Sequence, residues 1–139
     1  MTVEVHVVTP DREVWSGKAD SVIARGVDGE VGILAGHAPL LIRLAIGPLR
    51  LLGAESGPEI DAVVDGGFMH VTSSGMVTRV DVMATGAAMR AEIDMALVQA
   101  RADELRAELD GRDSNLAEAD IEATRTELQK ALARLELAG

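Results

Sequence analysis

From Thr2 to Val8 apolar and polar positions alternate, with Val3, Val5 and Val7 on one face and Glu4 and His6 on the other. That period of two predicts a half-buried strand. Similar short runs recur between turn signals. Thr9-Pro10-Asp11 turns the chain, Ser21 to Arg25 reads as a strand, and Asp28-Gly29 is a hairpin signal joining it to Glu30 to Leu34. After Gly36-His37-Ala38-Pro39 come Leu40 to Ile46, then Gly47-Pro48 and a strand from Leu49 to Leu52. Ile60, Ala62 and Val64 alternate with their neighbours, Gly66-Gly67 lead into Phe68 to Thr72, and Thr78, Val80 and Val82 alternate again. Nine or ten such strands fit two packed antiparallel sheets.

Beyond Gly86 the period changes. Met95, Val98, Ala102, Leu105 and Leu109 follow a 3,4 spacing, as do Ile121, Thr124, Leu128, Ala131 and Leu135. Each set predicts a helix with a narrow apolar stripe. Asp110-Gly111-Arg112-Asp113-Ser114 can turn the chain, and Asn115 with Glu118 resembles a capping box. The simplest arrangement is an antiparallel helical hairpin, whose narrow, Ala-rich stripes predict weak docking on the sheets.

Composition supports this division. All four prolines and 12 of the 14 glycines lie at or before Gly86 in a chain of 139 residues. The expected units are therefore a sandwich over residues 1–86 and a helical hairpin over residues 87–139. The formal charge of −10 repels phosphate backbones, so nucleic acid is not expected as a partner. The aromatic share of 1% removes base stacking as a binding mode. No cysteine is present, which excludes thiolate chemistry. The N-terminus lacks a signal-peptide pattern and no run spans a bilayer, so the chain reads as soluble and intracellular.

Motifs for chemistry are sparse. His6, His37 and His70 lack metal-ligand spacing, so no metal or cofactor is expected. Gly26, Gly29, Gly32 and Gly36 precede neither a Lys-Ser/Thr pair nor a helix, unlike a phosphate loop. His37, in its Gly-His-Ala-Pro turn, is better read as a turn residue bonding local backbone than as a base. No catalytic residue is expected.

Val8-Thr9-Pro10-Asp11, Trp15-Ser16-Gly17, Gly29-Glu30-Val31-Gly32-Ile33-Leu34, Gly36-His37-Ala38-Pro39-Leu40-Leu41 and Asp65-Gly66-Gly67-Phe68 resemble, in order and spacing, the epsilon subunit of the F-type ATP synthase. The likeness covers residues 3–84 and extends loosely through Ile93-Asp94 and Glu127 to Ala133. It implies a ten-stranded antiparallel β-sandwich followed by a two-helix antiparallel hairpin. It also implies a non-catalytic rotor part of the central stalk, peripheral on the cytoplasmic face of the membrane, coupling proton flow to ATP synthesis. The sandwich would grip the gamma subunit and sit on the c-ring loops, while the hairpin would reach the catalytic beta subunits and brake hydrolysis.

Residue by residue, Glu30 falls at the family position facing the c-ring and His37 at the one near gamma. Some members hold ATP between the helices through an Ile/Leu-Asp-x-x-Arg-Ala motif. Here Ile93-Asp94 is followed by Leu97-Val98 in the last two places, leaving a degenerate ATP site of Ile93 and Asp94, with Arg101 or Arg125 as substitute cations. Two other classes compete: a free-standing ligand-binding sandwich with His37 in its pocket, and a small enzyme pairing His37 with Glu30 or Asp65.

Overall fold

A computed structural model describes residues 1–111 and 117–138. Eight strands precede two helices: β1 (Val3–Val8), β2 (Glu13–Ala19), β3 (Ser21–Gly26), β4 (Gly29–Leu34), β5 (Leu40–Ala54), β6 (Gly57–Ser74), β7 (Val77–Ala84), β8 (Ala87–Met89), α1 (Met95–Asp110) and α2 (Glu118–Glu136). Pairing runs in the order β2-β1-β7-β6-β5-β3-β4, with β8 beside β6. The expected turn over Arg112 to Ser114 and the cap at Asn115 lie outside the described residues.

Ten strands were expected and eight are found, because Gly47-Pro48 and Gly66-Gly67 bend strands rather than end them. Leu40 to Leu44 pair with Gly67 to Val71 on the β7 side, whereas Leu49 to Leu52 pair with Glu59 to Ala62 on the β3 side. In place of the two separate sheets expected, the strands form one continuous eight-stranded sheet, and this long bent hairpin carries it from the β7 side to the β3 side. Pro48, which has no N–H to donate, sits where β5 leaves its ladder with β3, the register shifting between Ala24 and Gly26. The wholly antiparallel expectation is corrected too: β1 pairs with β7 in parallel, Val3 opposite Thr78 through Val8 opposite Met83. β2 and β8 were not foreseen, since Glu13–Ala19 does not alternate cleanly and Ala87–Met89 is too short to show a period.

The core is aliphatic. Val3, Val5 and Val7 of β1 meet Val80 and Val82 of β7, Met69 and Val71 of β6, and Leu49 and Leu51 of β5, all fully buried. At about 1.5–3 kcal/mol per buried aliphatic side chain, such a core is stiff without aromatic residues. A second, smaller cluster lies on the outside of the sandwich. Val63 is fully covered there by Ala133 of α2 and by Leu137 just after it, with Ile46, Ala88, Ile93 and Met95 around them. The helical part therefore docks, through a second apolar face on α2 that the 3,4 stripe did not reveal.

α1 starts where the Asp94 carboxylate accepts the N–H groups of Ala96 and Leu97, at 3.1 and 3.2 Å. α2 has no side-chain cap, but Glu118 and Asp120 in its first turn and Arg134 in its last suit the helix dipole. The helices pack together through Ala102 and Leu105 of α1 and Thr124 and Ala131 of α2. No helix among the described residues is long and apolar enough to cross a membrane.

Candidate functional site

Glu30 and His37 stand at opposite ends of β4. Glu30 is exposed at the β3–β4 hairpin, opposite Arg25 in register and beside exposed Val27. Arg25 in turn reaches α2, donating to both Glu136 oxygens at 3.2 and 3.0 Å. The bonds to Glu136 hold the Arg25 guanidinium above its usual pKa, the Glu30 charge adding to the effect. His37 follows β4, in a loop braced against the β6–β7 hairpin. Gly36 N–H donates to Thr78 Oγ1 at 2.7 Å, and Ser73 Oγ donates to the His37 carbonyl at 2.9 Å.

His37 Nδ1 lies 2.7 Å from the Ala38 carbonyl, as expected of a turn histidine. The four residue-to-residue steps from Glu30 to Leu34 along β4 already span about 13 Å, so Glu30 and His37 cannot share a proton. Asp65, the other proposed partner of His37, is engaged by Arg134. The enzyme alternative has no geometry behind it.

The four residues expected around a nucleotide are dispersed. Ile93 packs in the Val63 cluster, Asp94 caps α1, and Arg125 pairs with Glu122 on its own helix at 3.0 Å. Arg101 alone lines the cleft between the helices and the sandwich, a space of about 410 Å³. There it meets Lys130 and Arg134 of α2, with Asp65 and Glu127 as counter-charges and Leu97 and Val98 as an apolar wall. Each cation has a carboxylate: Arg101 with Glu104 at 3.3 Å, Lys130 with Glu127 at 3.2 Å, and Arg134 with Asp65.

The last pair is the best formed. Arg134 Nη1 and Nη2 donate to Asp65 Oδ1 and Oδ2 at 2.7 and 2.9 Å, and Nη1 also donates to the Lys130 carbonyl at 3.0 Å. The fork onto Asp65 raises the Arg134 pKa, against the opposing effect of burial. Sequence reasoning missed Arg134 and Lys130. The visible signal was a lone Arg inside Ala131-Leu132-Ala133-Arg134-Leu135, and it has no meaning until Asp65 is placed opposite. Among the described residues no group of three or more His, Cys, Asp or Glu side chains could hold a metal ion.

A family profile described as ATP synthase, Delta/Epsilon chain, beta-sandwich domain matches residues 2–90. An ATP synthase epsilon chain of Desulforamulus reducens is 35% identical over 137 residues, covering 99% of this chain and 97% of the relative. The chain belongs to the ATP synthase epsilon-chain family. A Thermobifida fusca epsilon chain is 47% identical over 97 residues, covering 69% of each. A chain in the Euglena gracilis mitochondrial ATP synthase structure, comprising OSCP, F1 and c-ring, is 28% identical with a TM-score of 0.78 over 99% of this chain and 81% of that one. A chain from the Tetrahymena thermophila central stalk and c-ring, 16% identical at a TM-score of 0.58 over 100% of this chain and 98% of that one, shares the fold. As a member of the epsilon-chain family, the protein is a non-catalytic stalk subunit of the ATP synthase, and a free-standing binding module is not favoured.

Proposed function

We propose that residues 1–86 form the attachment platform of the rotor and residues 87–139 an antiparallel hairpin that regulates it. Strand β8 at Ala87–Met89 pairs with β6 and stays with the platform physically, so the functional boundary lies in the short link before α1. Antiparallel orientation is supported by the shared cleft, where Leu97, Val98 and Arg101 near the start of α1 face Lys130, Ala131 and Arg134 near the end of α2.

In this proposal Glu30 contacts the c-ring loops, His37 lies at the gamma interface, and the hairpin reaches the catalytic beta subunits when it leaves the sandwich. The chain is peripheral, on the cytoplasmic face of the membrane. It couples proton movement through the c-ring to ATP synthesis, because a rotor part transmits torque only if its two contacts are joined by something stiff. The observation that carries the proposal is the placement of Glu30 and His37 at the two ends of one strand whose Ile33 is anchored in the aliphatic core.

The hairpin is expected to sense ATP weakly. Ile93, Asp94 and Arg125 are occupied elsewhere, and the cations of the cleft already hold carboxylates. It also carries an acidic second helix, which lowers its affinity for another acidic surface. Glu30→Lys in the assembled synthase tests the platform. Proton-driven ATP synthesis in reconstituted membranes should fall while the subunit still copurifies with gamma. Full coupling would remove Glu30 from the interface.

A further inference from the structure

The sheet order β2-β1-β7-β6-β5-β3-β4 leaves β4 bonded on one side only. The other end of the order is closed. There the Asp20 N–H donates to the Leu52 carbonyl at 2.8 Å and the Glu55 N–H to the Lys18 carbonyl at 3.3 Å, tying β2 to the end of β5. β8 is only three residues long. Among the described residues β4, with six, is therefore the long open edge. Native edges are commonly blunted by Lys, Pro or a bulge. β4 reads Gly29-Glu30-Val31-Gly32-Ile33-Leu34 and keeps an unbroken register with β3, so it has none of these.

The turn decides which backbone groups face outward. Val27 and Asp28 form a two-residue loop, so Gly26 and Gly29 make the first bonded pair of the hairpin. Bonded and non-bonded pairs alternate from there. Val31 and Ile33 thus bond to β3, while Glu30, Gly32 and Leu34 turn their N–H and C=O groups toward the open edge. In keeping with this, the Leu34 carbonyl accepts the His37 N–H at 3.1 Å. These three residues are exposed, Leu34 by 64%, and nothing lies within 4 Å of the place where a Cβ on Gly32 would stand.

This pattern is self-complementary. Laid antiparallel against a second copy about Gly32, the strand sets Gly32 against Gly32 and Glu30 against Leu34 of the second copy, so every outward-facing residue meets another. No like charges stand opposite one another. The two Glu30 carboxylates lie four residue steps apart, about 13 Å, beyond the screening length of about 8 Å at physiological salt. We propose that free copies of this chain pair through β4 in this register, as a closed two-fold dimer. An interface of one strand is small and the −10 charge on each copy opposes it, so the dimer is weak and is strengthened by salt. Under the rotor proposal, pairing hides Glu30 until the copies part, and assembly draws on the monomer. The dimer itself needs no synthase, so its failure leaves that proposal untouched.

Sedimentation equilibrium of the full-length chain, from micromolar to millimolar concentration, gives the dissociation constant. Gly32→Pro removes an N–H that points away from β3, a place where an edge strand tolerates proline, so the chain should keep its thermal midpoint and lose the dimer. Gly32→Ala, with room for its Cβ, should keep both. Charge changes read the register. Leu34→Lys faces Glu30 of the second copy and should tighten the dimer at least about threefold, whereas Leu34→Glu should loosen it as much. Adding Glu30→Lys to Leu34→Glu should restore it. The Leu34 variants decide the matter even where proline lowers the midpoint. A chain that stays monomeric to millimolar concentration, a folded Gly32→Pro variant that still dimerises, or Leu34→Lys and Leu34→Glu shifting the constant in the same direction would each overturn the proposal.

Discussion

Arg134, in the last turn of α2, forks onto Asp65 of β6 through two hydrogen bonds of 2.7 and 2.9 Å, with side chains only 20% and 10% exposed. The pair joins residues 69 positions apart and ties the helical part to the bend of the longest strand. Enclosure makes it stronger than a surface ion pair, and it leaves a costly unpaired charge when one partner is removed. A double-mutant cycle of Asp65→Asn and Arg134→Gln should give a coupling energy of about 2 kcal/mol, read from denaturant unfolding followed by helix signal. A coupling near zero would mean that the apolar cluster at Val63 alone holds α2.

The bend beside Asp65 depends on glycine. Gly67 has φ +126°, and a Cβ there would lie 2.2 Å from the Met83 carbonyl oxygen on β7. Both backbone strain and the clash act on one residue, so Gly67→Ala should destabilise the sandwich by about 3 kcal/mol or more. Gly86 differs, since its Cβ would meet the Asp65 carboxylate at 2.7 Å. Gly86→Ala should displace that side chain and weaken docking more than it weakens the strands. Thermal unfolding followed separately at strand and helix wavelengths distinguishes the two.

What the sequence revealed follows from which residues carry a local period. Val3, Val5 and Val7, or Val80 and Val82, announce their strands because each alternates between core and surface within a few residues. The Gly47-Pro48 and Gly66-Gly67 signals read as breaks between separate strands, whereas β5 and β6 run through them. Whether such a signal ends a strand or bends it depends on ladder partners distant in sequence, so the strand count was not legible. Among candidate sites, Glu30 and His37 fell where turn chemistry predicted, on a hairpin and in a braced loop. Arg134 and Val63 were illegible for one reason: each has meaning only through the contact between β6 and α2, which no local pattern encodes.

Glu92 gives docking a dependence on pH. Its carboxylate accepts the Met89 N–H at 2.9 Å and lies 2.8 Å from Arg12 Nη2, joining the short link before α1 to the β1–β2 turn. The Met89 bond, followed by the Arg12 pair, lowers its pKa from the ordinary 4.5. A carboxyl whose folded value is depressed stabilises the fold above its unfolded value, and that contribution disappears as pH falls through the folded one. Glu92→Gln should therefore be less stable than the parent chain at pH 6, with the difference shrinking toward about pH 3. Urea midpoints of both chains across that range supply the measurement; a constant difference would exclude the carboxylate charge as the cause.

Val63 separates the two proposed units most directly. It points away from the sandwich core on β6, yet it is fully buried, because Ala133 and Leu137 cover it. Residues 1–92 retain every strand together with the Arg12–Glu92 link, so that fragment should fold alone, whereas residues 1–86 lack β8 and should be less stable. In the fragment Val63 faces water. Val63→Thr, close in shape but bearing a hydroxyl, should then be nearly neutral there, while in the full chain it places that hydroxyl under Leu137 and should cost about 1–2 kcal/mol. Equal costs in the two contexts, measured by denaturant unfolding, would show that α2 does not cover Val63 in solution.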